Sequence, residues 1–138
     1  MTYLDEAPLS VIIPAHNEAA VIERCLRSLQ AGAGRRPVQI VVVCNGCSDD
    51  TAAIARRVAP QAVVVDSPVA SKHAALNLGD EIADHFPRCY VDADVVVSPG
   101  ALDLVADALT GGSAVAAAPR PLFDLSRSNR GARLFLEL

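Results

Sequence analysis

The fold is decided by residues 38–59, VQIVVVCNGCSDDTAAIARRVA. The first six residues, apolar except for Gln39, show no alternation, which is typical of a β-strand buried on both faces of a sheet. The polar turn NGCSDD follows, and the chain then takes on a helical pattern that ends before Pro60. A buried strand followed at once by a helix is the repeating unit of a parallel α/β sheet.

The same unit recurs along the chain. We expect Asn17 and Ser98 to cap the first and last helices, Pro99 to be the first residue of that last helix, and SAVAAAP (113–119) to add a fifth strand. The predicted fold is a single α/β domain over residues 1–138, with a mostly parallel sheet and helices on both faces. The other predicted strands are LSVIIP (9–14), AVVVD (62–66) and CYVDAD (89–94), and helices follow them at 17–30, 71–86 and 98–109.

Composition and charge exclude several functional classes. The chain has 138 residues, is 51% hydrophobic and carries a net charge of −4, with no basic run, so we expect one core and no nucleic-acid partner. Its apolar stretches are far shorter than the ~20 residues of a membrane span, and the N-terminus lacks the pattern of a signal peptide. We therefore expect a soluble, cytoplasmic chain with reduced cysteines.

Cys44 and Cys47 form a CxxC pair at the end of the central strand. A CxxC that opens a helix is the thioredoxin-like arrangement, and a zinc site would need two further ligands. The alternative is a polar turn, in which Asn45 and Gly46 reverse the backbone and Ser48 or Asp49 caps the next helix. We favour the turn, with a non-catalytic nucleotide-binding module or a CxxC redox module kept as alternatives.

Polar segments follow three of the predicted strands: PAHNE, CNGCSDDT and DAD. In open α/β sheets ligands bind beyond the carboxyl ends of the strands, so these segments belong on one rim. Asp92 and Asp94 would share one face of a regular strand, and a divalent cation such as Mg²⁺ or Mn²⁺ would remove the repulsion between their carboxylates. The alternative is that Asp92 caps a loop and Asp94 is solvated.

Four segments in this order resemble the family 2 glycosyltransferases with the Rossmann-like GT-A fold: PAHNE, NGCSDDT, SKHAALNLG and VDADVVVSPGAL. The resemblance runs from about Leu9 to Leu109. It implies an enzyme that takes a sugar from a nucleotide-diphosphate sugar, with Mn²⁺ or Mg²⁺ on the diphosphate, and passes it to an acceptor hydroxyl.

The resemblance also implies roles for individual residues. Relatives have acidic residues, one of which reads the base, where this chain has Cys44 and Asn45, so a preference for uracil is not inherited. Asp49 keeps its family counterpart, and Lys72 matches a basic residue on the diphosphate side. Asp92 would approach the ribose or the metal, and Asp94 would bind the metal directly. The residues implied to line the nucleoside pocket are Pro14, Ala15, His16 and Glu18.

The resemblance implies that the catalytic base comes from a half C-terminal to the DxD strand, so we expect the base beyond Leu138. LFLEL (134–138) also reads as an interrupted apolar helix. We therefore interpret the chain as a truncated, donor-binding portion. A sugar-nucleotide nucleotidyltransferase is the enzymatic alternative, but it would need a Gly-rich loop after the first strand, and PAHNEAAVIERC has no glycine. The sugar, the acceptor, the stereochemistry, the oligomeric state and any membrane association of a longer parent are left open.

Overall fold

The computed structural model of the chain describes residues 7–32, 34–112, 114–124 and 126. In these residues strands and helices alternate, and every paired strand is parallel to its neighbour, in the order β3-β2-β1-β4. The prediction of a parallel α/β sheet is confirmed. The elements are β1 (Leu9–Ala15), α1 (Ile22–Ala31), β2 (Val38–Asn45), α2 (Thr51–Val58), β3 (Val63–Ser67), α3 (Lys72–Ile82), β4 (Arg88–Tyr90) and α4 (Ala101–Thr110).

The core lies on both faces of β2. Val42 and Cys44 belong to the cluster formed with α1 and α2, whereas Val41 and Val43 pack with Ala75 of α3 on the opposite face. Successive side chains of a strand point to opposite faces, so a strand covered by helices on both sides must be apolar throughout. This explains the continuous apolar run of residues 40–44, IVVVC.

Helices α1 and α4 begin later than the sequence predicts. Asn17 does not cap α1, which begins at Ile22, because Asn17 adopts a left-handed backbone conformation (φ 51°) in the loop before it. Ser98 and Pro99 also precede α4, because Gly100 lies in the left-handed region (φ 76°) and the helix begins only at Ala101. Both predicted caps are therefore wrong.

Two predicted strands differ from the structure. β4 ends at Tyr90, so Asp92 and Asp94 lie in a turn after the strand and not on one strand face. Residues 114–119 are irregular and exposed, so the predicted fifth strand does not form there. This segment is rich in alanine, which has a low β propensity. No helix in the part of the chain that the structure describes is long and apolar enough to cross a bilayer.

Candidate donor-binding site

A cleft of about 170 Å³ opens at the carboxyl ends of β1, β2 and β4. Parallel strands present all their carboxyl ends at one edge of the sheet, which brings together segments far apart in sequence. Seven of the nine predicted site residues border this cleft. Its lining consists of Pro14, His16, Glu18, Asn45, Lys72, Asp92, Ala93 and Asp94.

The other two predicted residues, Ala15 and Asp49, lie outside the cleft lining. Ala15 is buried in the core cluster at 1% exposure. Asp49 accepts hydrogen bonds from the backbone nitrogens of Ala19 (3.1 Å) and Thr51 (3.0 Å) and from the Thr51 hydroxyl. The Thr51 hydroxyl is the largest cause of the lowered pKa of Asp49, and the backbone donors add to it. In this structure the Asp49 carboxylate therefore joins two loops of the protein.

His16 is exposed on the cleft and is oriented by β2. Its Nδ1 lies 2.6 Å from the backbone oxygen of Asn45. A carbonyl oxygen only accepts, so Nδ1 carries the hydrogen and Nε2 of the neutral ring keeps a free lone pair. The imidazole is thereby held with a defined tautomer beside Asn45.

The loops after β1 and β2 are joined by side-chain hydrogen bonds, which we call the cross-loop network (residues 15–19 with 45–51). The Cys47 thiol donates to the carbonyl of Ala15 (3.3 Å) and accepts from the amide of Asn17 (3.4 Å). The Asn17 side chain accepts from the amide of Ser48 at 2.8 Å. Each of these bonds flanks His16, so the network fixes one wall of the cleft.

The cysteine environments favour the interpretation of CNGC as a turn. Burial is the largest cause of the raised pKa of Cys44, about 12, and the neighbouring Cys47 thiol contributes to the rise. Burial likewise raises the pKa of Cys25 to about 11 and that of Cys89 above its ordinary value. A thiol protonated at neutral pH is a poor nucleophile and a poor metal ligand. Cys47 instead has a structural role in the cross-loop network.

Lys72 reaches the acidic turn from the start of α3. The helix begins at Lys72 because the Ser71 hydroxyl caps it by accepting from the amide of Ala74 (3.2 Å). The ammonium group of Lys72 lies 2.6 Å from Asp92 Oδ1, and both side chains are more than half exposed. Lys72 is the only lysine in the sequence. A positive and a negative group are thus paired at one end of the cleft.

Three side chains of α1 hold the backbone of the acidic turn. Arg24 donates to the carbonyl of Asp94 (3.3 Å), the Cys25 thiol to the carbonyl of Asp92 (3.8 Å), and the Ser28 hydroxyl accepts from the amide of Val97 (3.0 Å). The sequence analysis missed these three residues. Their contacts lie 67 to 70 residues away along the chain, and no local pattern marks them.

The family model "Glycosyl transferase family 2" matches residues 10–135. The chain belongs to this family. No curated protein sequence matches it. Among solved structures, S. aureus TarS 1-349 is similar to it with a TM-score of 0.67 and 21% identity, over 83% of this chain and 38% of that one. At 21% identity, the likeness to TarS shows the fold alone.

A second solved structure is glucosyl-3-phosphoglycerate synthase from Mycobacterium tuberculosis in complex with Mn²⁺, UDP and glucosyl-3-phosphoglycerate. It matches with a TM-score of 0.63 and 25% identity, over 74% of this chain and 39% of that one. Another structure of the same synthase, without ligands in its description, matches at 27% identity with a TM-score of 0.60, over 76% of this chain and 41% of that one. The chain therefore has the GT-A fold, as predicted. It spans about two fifths of the length of TarS 1-349 and of the synthase.

The carboxylate oxygens of Asp92 and Asp94 in the cleft fit a hard divalent cation. Asp92 and Asp94 offer carboxylate oxygens, the ligands that Mg²⁺ and Mn²⁺ prefer. Asp92 already attracts one cation, the Lys72 ammonium. Among the described residues, no group of three or more His, Cys, Asp or Glu side chains is placed to hold a metal. A divalent cation held by Asp92 and Asp94 would need further ligands besides these two side chains, and the oxygens of a diphosphate are of the same hard type.

Proposed function

We propose that this chain carries the donor site of a glycosyltransferase, which binds a nucleotide-diphosphate sugar with a divalent metal ion, Mn²⁺ or Mg²⁺. The sugar passes to an acceptor hydroxyl that the chain does not identify. Membership of glycosyl transferase family 2 and the likeness to a synthase in complex with UDP and Mn²⁺ support this proposal.

The observation that carries the proposal is the distribution of charge along the cleft. Lys72, Asp92 and Asp94 lie at one end, where a metal ion and an ammonium group together suit a diphosphate. His16 follows the end of β1 and Asn45 ends β2, and their uncharged hydrogen-bonding groups suit a nucleoside. The Glu18 carboxylate also lines the cleft. The cationic group and the two aspartates thus suit the diphosphate of a nucleotide, and the neutral groups suit its nucleoside.

Lys72 can contribute to bond cleavage without leaving Asp92. An ammonium group has three N–H donors, so one can stay on Asp92 while another donates to a phosphate oxygen. In the transfer, the acceptor oxygen bonds to the anomeric carbon, the bond from that carbon to the diphosphate breaks, and its electron pair goes to the diphosphate oxygen. A general base, which no described residue is assigned to be, takes the proton of the acceptor hydroxyl. A divalent ion bound at Asp92 and Asp94 would supply further positive charge for the leaving group.

Thermal unfolding of the chain with UDP, CDP, GDP and dTDP, each with Mn²⁺ or with EDTA, tests the proposal. A ligand at a hundredfold excess over its dissociation constant stabilises a protein by about 2.7 kcal/mol, which gives a clear shift in Tm. We expect at least one diphosphate to raise Tm with Mn²⁺ and to lose most of that effect with EDTA. If no nucleotide raises Tm, or if the matching monophosphate with EDTA raises it equally, the proposed donor site is wrong.

A further inference from the structure

The turn that carries Asp92 and Asp94 is held differently at its two ends. Before it, the amide of Val91 donates to the carbonyl of Ile12 at 3.0 Å, so this end continues the sheet. Within it, Ala93 is buried in the core cluster at 2% exposure. Asp92 therefore lies between two fixed residues, whereas the position of Asp94 also depends on what holds the far end of the turn.

The far end of the turn has little packing of its own. Val95 and Val96 are 42% and 54% exposed. The amide of Val95 donates to the carbonyl of Asp92 at 3.1 Å, which closes the turn on itself without joining it to another element. The chain is attached again at Val97, which packs against the core and donates its amide hydrogen to the Ser28 hydroxyl at 3.0 Å.

The Ser28 hydroxyl is arranged to accept this hydrogen bond. Its oxygen lies 2.7 Å from the carbonyl oxygen of Cys25, one turn earlier in α1. A carbonyl oxygen only accepts, so the hydroxyl hydrogen is directed to Cys25 and the lone pairs of the hydroxyl oxygen remain for the Val97 amide. The half-buried Ser28 side chain thus links the backbone of α1 to the backbone of the turn.

Ser28 makes the strongest of the three contacts between α1 and the turn. Its 3.0 Å bond falls within the usual N–H···O range of ~2.7–3.2 Å. The Arg24 guanidinium is exposed and lies 3.3 Å from the carbonyl oxygen of Asp94. The Cys25 thiol is a weak donor and lies 3.8 Å from that of Asp92. Loss of the Ser28 hydroxyl should therefore release the turn more than loss of either neighbouring contact.

We propose that Ser28 is a positioning residue of the donor site. Its hydroxyl holds the far end of the turn, so that the carboxylates of Asp92 and Asp94 keep the fixed relation that a divalent cation bound by both requires. Ser28 is not part of the cleft lining, so it acts through the backbone of Val97 and not on a ligand. The inference rests on the proposed function, because it concerns the metal ion of that function.

Ser10 is a matched control because its hydroxyl makes the same kind of bridge elsewhere. It donates to the Gln39 side chain at 2.7 Å and accepts from the backbone amide of His85 at 3.1 Å. Ser10 lies near the amino end of β1, whereas the cleft opens at the carboxyl end of that strand. Loss of its hydroxyl should therefore destabilise the fold without changing the metal site.

The test measures three quantities for each variant: the Mn²⁺ affinity at saturating UDP by electron paramagnetic resonance, the UDP affinity in EDTA by NMR titration, and Tm. Ser28→Ala should weaken Mn²⁺ binding at least about 5-fold, the effect of one lost hydrogen bond, and leave the UDP affinity in EDTA within about twofold. Ser10→Ala should lower Tm and leave both affinities unchanged. Ser28→Thr keeps the hydroxyl and should restore the Mn²⁺ affinity to within about twofold.

The outcomes separate this inference from the proposed function. If Ser28→Ala lowers Tm but binds Mn²⁺ as tightly as the unmodified chain, Ser28 is structural only, and the donor site stands without it. If Ser28→Ala weakens UDP equally with Mn²⁺ and with EDTA, or if Ser28→Thr is as weak as Ser28→Ala, the hydroxyl does not position the metal ligands. If the unmodified chain binds no Mn²⁺ with UDP, the proposed function fails and the inference fails with it.

A second variant keeps the inference testable if Ser28→Ala does not fold. Ser28→Cys replaces the hydroxyl by a thiol, whose sulfur is a weak acceptor, at nearly the same size. It should show the same selective loss of Mn²⁺ affinity at unchanged UDP affinity in EDTA. Full Mn²⁺ affinity of Ser28→Cys would overturn the inference.

Discussion

The Nζ atom of Lys72 lies 2.6 Å from Oδ1 of Asp92, so the only lysine of the chain is paired with the first aspartate of DAD. The side chains are 62% and 55% exposed. An ion pair this exposed contributes only about 0–1 kcal/mol to stability. The pair therefore contributes little to folding, and under the proposed function both of its groups are free to serve a ligand at the rim of the cleft.

Lys72→Met should weaken Mn²⁺-dependent UDP binding roughly 10-fold to 100-fold and change Tm little. The reason is the loss of a charge-assisted hydrogen bond to the diphosphate, while the fold loses only an exposed pair. Isothermal titration gives the affinity. Arg57→Met is the matched control, because Arg57 is an exposed cation paired with Glu23 outside the cleft lining. Equal affinity of Lys72→Met and the unmodified chain would exclude Lys72 from the donor site.

Asp94→Ala should abolish the Mn²⁺-dependent rise in Tm that a nucleoside diphosphate causes, while the unliganded variant unfolds at nearly the same temperature. Asp94 is exposed, and the Arg24 contact that holds this turn is made to its backbone oxygen, which alanine keeps. Asp50→Ala is the control, since Asp50 is exposed on the same rim and makes no side-chain cap on α2. Unchanged metal dependence in Asp94→Ala would contradict the assignment of this carboxylate as a metal ligand.

Asp49→Asn should destabilise the chain at neutral pH, and the loss should disappear in acid. The Thr51 hydroxyl and backbone donors lower the pKa of Asp49 below its ordinary value of 3.8 in the folded chain. The ionised carboxylate therefore adds stability above pH 3.8, and this is lost as the pH falls through the lower pKa of the folded state. Tm measured from pH 7 to pH 2 for both proteins tests this, with Asp50→Asn as the control. If the difference in Tm between Asp49→Asn and the unmodified chain is the same at pH 2 as at pH 7, the charge of Asp49 does not contribute to stability.

Cys47→Ala should lower the free energy of unfolding by about 1 kcal/mol, because it removes both bonds of the thiol in the cross-loop network. Cys47→Ser keeps a group that donates and accepts, so it should lose less stability and bind UDP within about twofold of the unmodified chain. Chemical denaturation and titration of UDP measure the two effects. A redox role for the CxxC pair predicts a different pattern, in which Ser and Ala are equally damaging and a reductant alters binding.

Much of the fold could be predicted because its strongest signals are local. The apolar run before Asn45 is typical of a strand covered on both faces, and the rule that ligands bind beyond parallel strands placed three polar segments together. The boundaries of α1 and α4 were wrong because each depends on a left-handed residue, Asn17 or Gly100. Asn17 adopts this conformation with its side chain bonded to Ser48, a partner 31 residues away.

The site could be predicted only as far as sequence motifs reach. His16 and Asn45 were each placed on the cleft, but their mutual hydrogen bond, which orients the ring, joins the ends of two strands. The carboxylate of Asp49 looked equally suited to a ligand or to the protein, and its hydrogen bonds with Ala19 and Thr51 could not be predicted from the sequence. Such choices depend on contacts between loops, which neither periodicity nor spacing encodes.

The most direct test of the central claim is the location of Mn²⁺ in the presence of UDP, measured by paramagnetic broadening of backbone amide signals. We expect signals of Asp92, Asp94 and Lys72 to broaden strongly when Mn²⁺ and UDP are both present, and those of Gln61 and Ala62, at the amino end of β3, to stay sharp. Broadening centred away from Asp92 and Asp94, or identical with and without UDP, would contradict a metal-assisted diphosphate site in this cleft.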